Sequence, residues 1–249
     1  MEPPVERYLD LLSDRLDDLL DTTLEGLYVV GSLALGGFVL GQSDIDVIAV
    51  TSSAPSDSLK RDVVDALSHP RLECPSRGLE FVLYDEPAVT IASRLGGFEI
   101  NLNTGPGMTF GCSFDPESEP AHWFVVDRSI ARSKGLRLVG RPREEVFAEI
   151  PASWILESLL EMLMWHRTHE SSGANIVLNA CRSWRFAEEG TWSSKVDGAQ
   201  WAKRLGADPA LIDAALAQRS GGTAGISAGE VDRLVRLVET AIAAALRKS

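Results

Sequence analysis

A chain of 249 residues, 45% hydrophobic and 24% charged, has the composition of a folded protein with room for one large domain or two modest ones. No apolar run reaches the ~18 residues that span a bilayer, and the acidic stretch after Met1-Glu2-Pro3-Pro4 is unlike a secretory or transit leader, so a cytoplasmic, membrane-free protein is expected. A net charge of −12 without any lysine- or arginine-rich run argues against a nucleic-acid partner; it favours solubility and suits a small cationic ligand.

Pro3 and Pro4 open a stretch whose apolar residues Val5, Tyr8, Leu9, Leu12, Leu16, Leu19 and Leu20 recur at helical spacing. Leu27-Tyr28-Val29-Val30 reads as a short buried strand running into Gly31-Ser32. A loop carrying Gly36, Gly37 and Gly41 leads to a second strand over Asp44 to Val50. After a loop at 52–58, Leu59, Val63, Val64 and Leu67 mark a helix, and Leu79 to Tyr84 a third strand. Residues 100–120 are rich in Gly, Pro, Asn and Ser and read mainly as loop with one strand; Trp123 to Ser133 reads as a helix stopped by Gly135. Past the turn at Gly140-Arg141-Pro142 and the break at Pro151 the pattern is wholly helical, with candidates at 153–169, 173–189, 198–205, 209–217 and 228–246. The expectation is an α/β (α+β) domain with a mixed sheet over 1–150, followed by an all-α domain over 151–249.

The chemistry concentrates in Gly31-Ser32 and, beyond residues 33–43, in Asp44-Ile45-Asp46-Val47. On an extended strand, residues i and i+2 share a face, so Asp44 and Asp46 project together while Ile45 and Val47 enter the core. Two carboxylates held so can take a hard divalent cation such as Mg²⁺, with water and phosphate oxygens completing its shell. Gly31 permits close backbone approach to a triphosphate, and Ser32 and nearby amides can donate to it. Charged residues amid apolar strand neighbours are costly unless a cation compensates them, which separates this pair from an ordinary solvated Asp-x-Asp. Glu80, within Gly78-Leu79-Glu80-Phe81-Val82-Leu83, is a third lone acid in an apolar strand. If that strand neighbours 44–50, Glu80 can activate an attacking hydroxyl or complete the metal site. The bland reading, a glutamate facing solvent, stays open at this stage, and Glu73 and Asp85 are weaker competitors. In the helical half, Asn175, Asn179 and Arg182 form an amide-rich polar stripe opposite Ile176, Val177, Ala180, Cys181 and Trp184; it fits a substrate-facing surface as well as a solvated one.

Gly31-Ser32-Leu33-Ala34-Leu35-Gly36-Gly37-Phe38 together with Gly41-Gln42-Ser43-Asp44-Ile45-Asp46-Val47 resembles the signature of the DNA polymerase β-type nucleotidyltransferases. Within that superfamily the chain is most similar to the spectinomycin/streptomycin adenylyltransferases. Asn175-Ile176-Val177-Leu178-Asn179-Ala180-Cys181-Arg182-Ser183-Trp184 resembles a helix of their C-terminal domain, and Ser194-Lys195 follows at the matching distance. The resemblance implies a two-domain enzyme that moves AMP from ATP to a hydroxyl of an aminoglycoside or aminocyclitol antibiotic, bound with the nucleotide in the cleft between the domains. It implies Asp44 and Asp46 as ligands of Mg²⁺, two ions by two-metal logic, with Glu80 as base. Gly31, Ser32, Ser43, Arg182 and Lys195 would then hold the nucleotide, and Glu80, Asn175 and Asn179 would face the acceptor. The loop 101–108 has no tryptophan, and Thr168 and Ser172 stand where streptomycin-binding acids are expected, so a spectinomycin-like acceptor is favoured over streptomycin.

Two other readings compete: the same chemistry on another metabolite, a protein or a tRNA end, and a non-catalytic, antitoxin-like nucleotide-binding module. The acidity argues against tRNA, and retention of all three carboxylates beside a helical domain argues against the module. His69, His122, His166 and His169 are scattered, Cys74, Cys112 and Cys181 have no paired spacing, and Trp154, Trp165, Trp184, Trp192 and Trp201 sit at mostly helical positions. These are expected to be core or surface residues rather than ligands. Oligomeric state is not legible.

Overall fold

The computed structural model describes residues 1–249 and divides into two compact units, Met1–Ile150 and Pro151–Ser249. The first opens with α1 (Pro3–Leu20), where proline at the helix start needs no hydrogen-bond partner and Val5, Tyr8, Leu9, Leu12, Leu16 and Leu20 are buried along one face. A 3₁₀ turn at Asp21–Thr23 leads into β1 (Leu24–Val29), the helical turn α2 (Gly31–Ala34) and β2 (Ile45–Thr51). Next come α3 (Asp57–Leu67), β3 (Leu79–Asp85), α4 (Glu86–Thr90), β4 (Phe98–Thr104) and β5 (Gly111–Ser113). The unit closes with α5 (Ala121–Lys134), β6 (Leu136–Gly140) and α6 (Arg143–Val146).

The six strands form a mixed sheet in the order β5-β4-β3-β2-β1-β6. Only β2 and β3 run parallel; every other neighbouring pair is antiparallel. The crossover that a parallel pair requires is made through α3, whose start is capped by Ser56 accepting the Leu59 N–H. One face of the sheet carries Leu27, Val29, Ile45, Val47, Ala49, Leu79, Phe81, Leu83, Ile100 and Leu102, all packed with the buried stripe of α1 and with Val63 and Leu67 of α3. Each of the larger side chains contributes about 1.5–3 kcal/mol when fully buried, so this layer is what fixes the strand register: a slip by one residue would turn it outward.

The opposite face is covered over part of its length. Tyr28 meets Phe147 edge-on at 5.0 Å, and Phe98 meets Phe124 of α5 at 4.7 Å. Arg128 of α5 is 3% exposed and donates to the carbonyls of Phe124, Ala88, Ser93 and Leu95. It therefore pins the segment after α4 through backbone acceptors, with its guanidinium 5.8 Å over the Tyr84 ring. Beyond this cover, at the end where β2 and β3 begin, Glu80 is exposed.

The second unit is all helical: α7 (Ala152–His169), α8 (Gly173–Glu189), α9 (Lys195–Arg204), α10 (Pro209–Arg219) and α11 (Ala228–Leu246). α8 packs against the other four. Side-chain caps start four of them, at Ser172, Ser194, Asp208 and Ser227, the last with Glu230 in a capping box. Gly190, in the left-handed region at φ 63°, ends α8. No helix in the structure is long and apolar enough to cross a membrane.

The architecture is an α/β domain with a mixed sheet followed by a helical domain, and the differences from the sequence reading are local. The stretch 100–120 holds two strands rather than one. In β4, Phe98, Ile100, Leu102 and Thr104 are buried and alternate with Asn101 and Asn103; asparagine is a poor strand former and masked a period of two. The turn expected around Gly140 is preceded by β6, an edge strand whose residues are mostly exposed and so carry no burial pattern. α9 begins at Lys195 rather than Gly198, because Ser194 caps it by accepting the Asp197 N–H at 3.0 Å.

Candidate active site

The glycine of Gly31-Ser32 is required by a side chain. Gly31 has φ +55°, and a Cβ added there would lie 1.8 Å from Oδ2 and 2.3 Å from Cγ of Asp46. Both the left-handed backbone and the missing side chain are therefore used: the turn after β1 folds directly against the Asp46 carboxylate. The Val30 N–H donates to the Asp46 carbonyl at 2.9 Å, fixing the two backbones together. The adjacent Ser32 Oγ is buried without a hydrogen-bond partner. Leaving such a hydroxyl unsatisfied costs about 1–3 kcal/mol, which fits a site whose polar partner arrives with a ligand.

Glu80 stands next to this turn through register. The parallel pairing aligns Asp46 with Glu80, and the antiparallel pairing of β3 with β4 aligns Glu80 with Asn103. Directly opposed residues share a face, so Asp46, Glu80 and Asn103 form a polar row across three strands, on the face away from the α1–α3 core. Asn103 was not singled out from sequence; only the strand pairing brings it beside Glu80.

Asp44 lies one residue before β2 rather than within it. Its carboxylate is met by Arg77, whose Nη1 is 2.9 Å from both Oδ1 and Oδ2. The segment carrying Arg77 is stitched to the Asp44 loop: Ile45 N–H donates to the Gly78 carbonyl at 2.8 Å and Arg77 N–H to the Ser43 carbonyl at 3.3 Å. Ser76 Oγ donates to the Ser43 carbonyl and accepts the Gly41 N–H. Ser43 itself is 8% exposed, and its hydroxyl accepts the Val39 N–H at 3.0 Å, holding the glycine loop closed. Neither Ser76 nor Arg77 was found from sequence, since each signal is a single common residue in a loop.

No group of three or more His, Cys, Asp or Glu side chains converges to hold a metal unaided. The donors are two carboxylates at 44 and 46, one of them already beside a cation, with the unpartnered Ser32 hydroxyl on the turn beside Asp46. That set fits Mg²⁺, which is commonly held by one or two carboxylates with water and substrate phosphates supplying the rest.

In the helical unit, Arg182 and Lys195 are joined by the amide stripe. Lys195 Nζ donates to Asn175 Oδ1 at 2.7 Å, and Asn175 Nδ2 donates to Glu170 Oε2 at 2.8 Å. Asn179, 4% exposed, accepts from Arg182 Nη2 at 3.3 Å on its oxygen and donates to Asn175 Oδ1 at 3.4 Å and to His166 Nε2 at 3.1 Å. The amides of Asn175 and Asn179 thus serve neighbouring side chains and set where the two cations stand. Glu170 anchors the network. Burial opposes its charge, but hydrogen bonds from the Ser172 N–H and the Asn175 amide, with the nearby Lys195, hold its pKa below the usual glutamate value. A close helix approach makes this geometry: a Cβ on Gly198 would come within 3.0 Å of the Arg182 Cα, so α9 lies against α8 at that point.

Trp184, Trp192 and Trp201 are buried, and Trp184 and Trp201 meet edge-on at 5.4 Å. Trp165 stacks with His169 at 4.9 Å. Cys74 and Cys181 are buried free thiols, and Cys112 is exposed and free.

Residues 145–244 match the protein family described as aminoglycoside adenylyltransferase, C-terminal domain. Across 96% of the chain and 99% of the other, the fold superposes with a TM-score of 0.71 on a spectinomycin adenyltransferase, AAD(9), from Enterococcus faecialis, solved with ATP and spectinomycin, at 14% sequence identity. No curated protein matches the sequence. The chain therefore resembles the aminoglycoside adenylyltransferases by sequence in its helical unit and by fold throughout.

Proposed function

We propose that the protein is a Mg²⁺-dependent adenylyltransferase that moves AMP from ATP to a hydroxyl of a small cationic aminocyclitol, spectinomycin-like rather than streptomycin-like. The observation that carries this is the register pairing of Asp46 with Glu80 on the two parallel strands, with Gly31 folded against the Asp46 carboxylate. It puts Asp46 and the exposed Glu80 on one sheet face, beside the Gly31-Ser32 turn, which supports a metal ligand and a base next to a phosphate site. The family match over the helical unit supports the acceptor class. The complex of the similar fold with ATP and spectinomycin supports both substrates.

In this reading the acceptor hydroxyl attacks the α-phosphorus of ATP, its proton passes to Glu80, and the bond to pyrophosphate breaks. Asp44 and Asp46 would hold Mg²⁺, which supplies charge neutralisation on the triphosphate when bound. Gly31 and the Ser32 hydroxyl receive phosphate oxygens. Arg182 and Lys195 pair with nucleotide phosphates, and Asn175, Asn179 and Glu170 keep those cations oriented. A loop at 101–108 without tryptophan, and Thr168 and Ser172 in place of acids, are the sequence grounds for a spectinomycin-like acceptor. The net charge of −12 suits a cationic one.

The test is pyrophosphate release from Mg·ATP with an aminocyclitol panel, paired with mass spectrometry of the acceptor for a gain of one AMP. Glu80→Gln is expected to lose about 10²- to 10⁴-fold in kcat, the usual contribution of a positioned base. Mg·ATP binding without any adenylylated product across the panel would refute the acceptor class, and undiminished turnover by Glu80→Gln would refute the base.

A further inference from the structure

Asp44 meets a charged partner belonging to the chain itself. Arg77 Nη1 is equidistant, at 2.9 Å, from both oxygens of a carboxylate whose side chain is 20% exposed. That position, bisecting the two oxygens, is one from which a cation engages a carboxylate in full. The approach is built in by the backbone, since Arg77 N–H to the Ser43 carbonyl, Ile45 N–H to the Gly78 carbonyl and Ser76 Oγ to the Ser43 carbonyl hold the two segments side by side. The Arg77 side chain is 49% exposed, so its guanidinium can leave without opening the core.

We propose that Arg77 is a resident counter-ion of Asp44 that competes with the divalent metal, so that metal uptake is coupled to nucleotide binding. The inference rests on the assignment of Asp44 as a metal ligand. Its physical basis is occupancy: one carboxylate cannot give both oxygens to a guanidinium and also bind a dication at full strength, and the two positive charges repel. Free metal therefore meets an Asp44 whose charge is already offset. Metal arriving with a triphosphate brings anionic oxygens to which the displaced guanidinium can pair, so Arg77 opposes the ion alone and favours the metal–nucleotide complex.

Mn²⁺ binding followed by electron paramagnetic resonance tests this on the full chain, with and without the non-hydrolysable α,β-methylene analogue of ATP. Wild type, Arg77→Met and Asp44→Asn are compared, with near-ultraviolet circular dichroism to confirm folding and Arg77→Gln held as a second neutral variant. Without nucleotide, Arg77→Met is expected to bind Mn²⁺ about three- to tenfold more tightly than wild type, and the tightening of Mn²⁺ by the analogue is expected to shrink by a similar factor. Unchanged or weaker Mn²⁺ binding by both neutral variants, with Asp44→Asn abolishing it, would overturn the counter-ion role while leaving the metal assignment standing. Mn²⁺ binding that is indifferent to Asp44→Asn would overturn both.

Discussion

Gly31→Ala isolates the contact on which the site depends. The backbone at φ +55° places an L-residue in the left-handed region, which costs about 1–2 kcal/mol. That alone is survivable in a domain of this size and shifts the midpoint of thermal unfolding by roughly 2–8 °C. The added methyl is the larger effect on function. Its Cβ would stand 1.8 Å from Asp46 Oδ2, and reaching even 3.0 Å obliges the carboxylate to retreat by about 1.2 Å. A displacement of about 1 Å in a reacting group can reduce rate by about 10²-fold, so kcat/KM for adenylyl transfer is expected to fall at least that far. Gly36→Ala and Gly41→Ala separate the two causes, since both residues also have positive φ, +73° and +78°, yet a Cβ at either meets nothing within 4 Å. Pyrophosphate release and urea denaturation on the three variants are the assays. The reasoning fails if Gly31→Ala keeps activity within a few-fold of Gly36→Ala, because backbone strain would then account for everything observed.

The supporting network and a buried histidine yield two further expectations. Asn175→Ala removes the acceptor of Lys195 and the donor to Glu170; hydrogen bonds to charged groups are worth about 1.5–3 kcal/mol, so KM for ATP should rise at least about tenfold. Steady-state kinetics with an unchanged KM for ATP would show that Lys195 needs no such support. His122, 7% exposed, has its pKa lowered by burial. Its unfolded value is about 6.5, so the unfolded state binds the proton first. The stability contribution is present above that pH and lost as pH falls through the folded pKa. Urea midpoints measured from about pH 7.5 down to about pH 5.5 should fall more steeply for wild type than for His122→Gln; parallel slopes would exclude the effect.

What the sequence made legible was chemistry tied to periodicity. Asp46 and Glu80 were readable because each interrupts an apolar strand, and the helical unit because its apolar residues recur with period near 3.6. Contacts created by pairing were not readable. Asn103 joins the polar row only through the register of β3 with β4, and Arg77 reaches Asp44 only because backbone bonds align two loops distant in sequence. The amide stripe of α8 was visible, but not that Asn179 faces His166; a helical wheel gives the face and leaves its partner undetermined. Gly198 reads only as the start of a helix, and its contact with the Arg182 backbone needs the packing of α9 on α8.

The parallel pairing of β2 with β3 has a consequence for how such a protein can diverge. The spacing of Asp46 and Glu80 is set by hydrogen bonds between neighbouring strands, not by the length of chain joining them. Outside α3 and the buried Leu72 and Cys74, which sit in the core, the loops of residues 52–78 that make the crossover can therefore gain or lose segments at low cost, since loop closure changes by only about 0.6 kcal/mol for each doubling of length. The exception is the stretch from Ser76 to Gly78, bound to the glycine loop. Insertions and deletions should accumulate before it and leave the two carboxylates where they are.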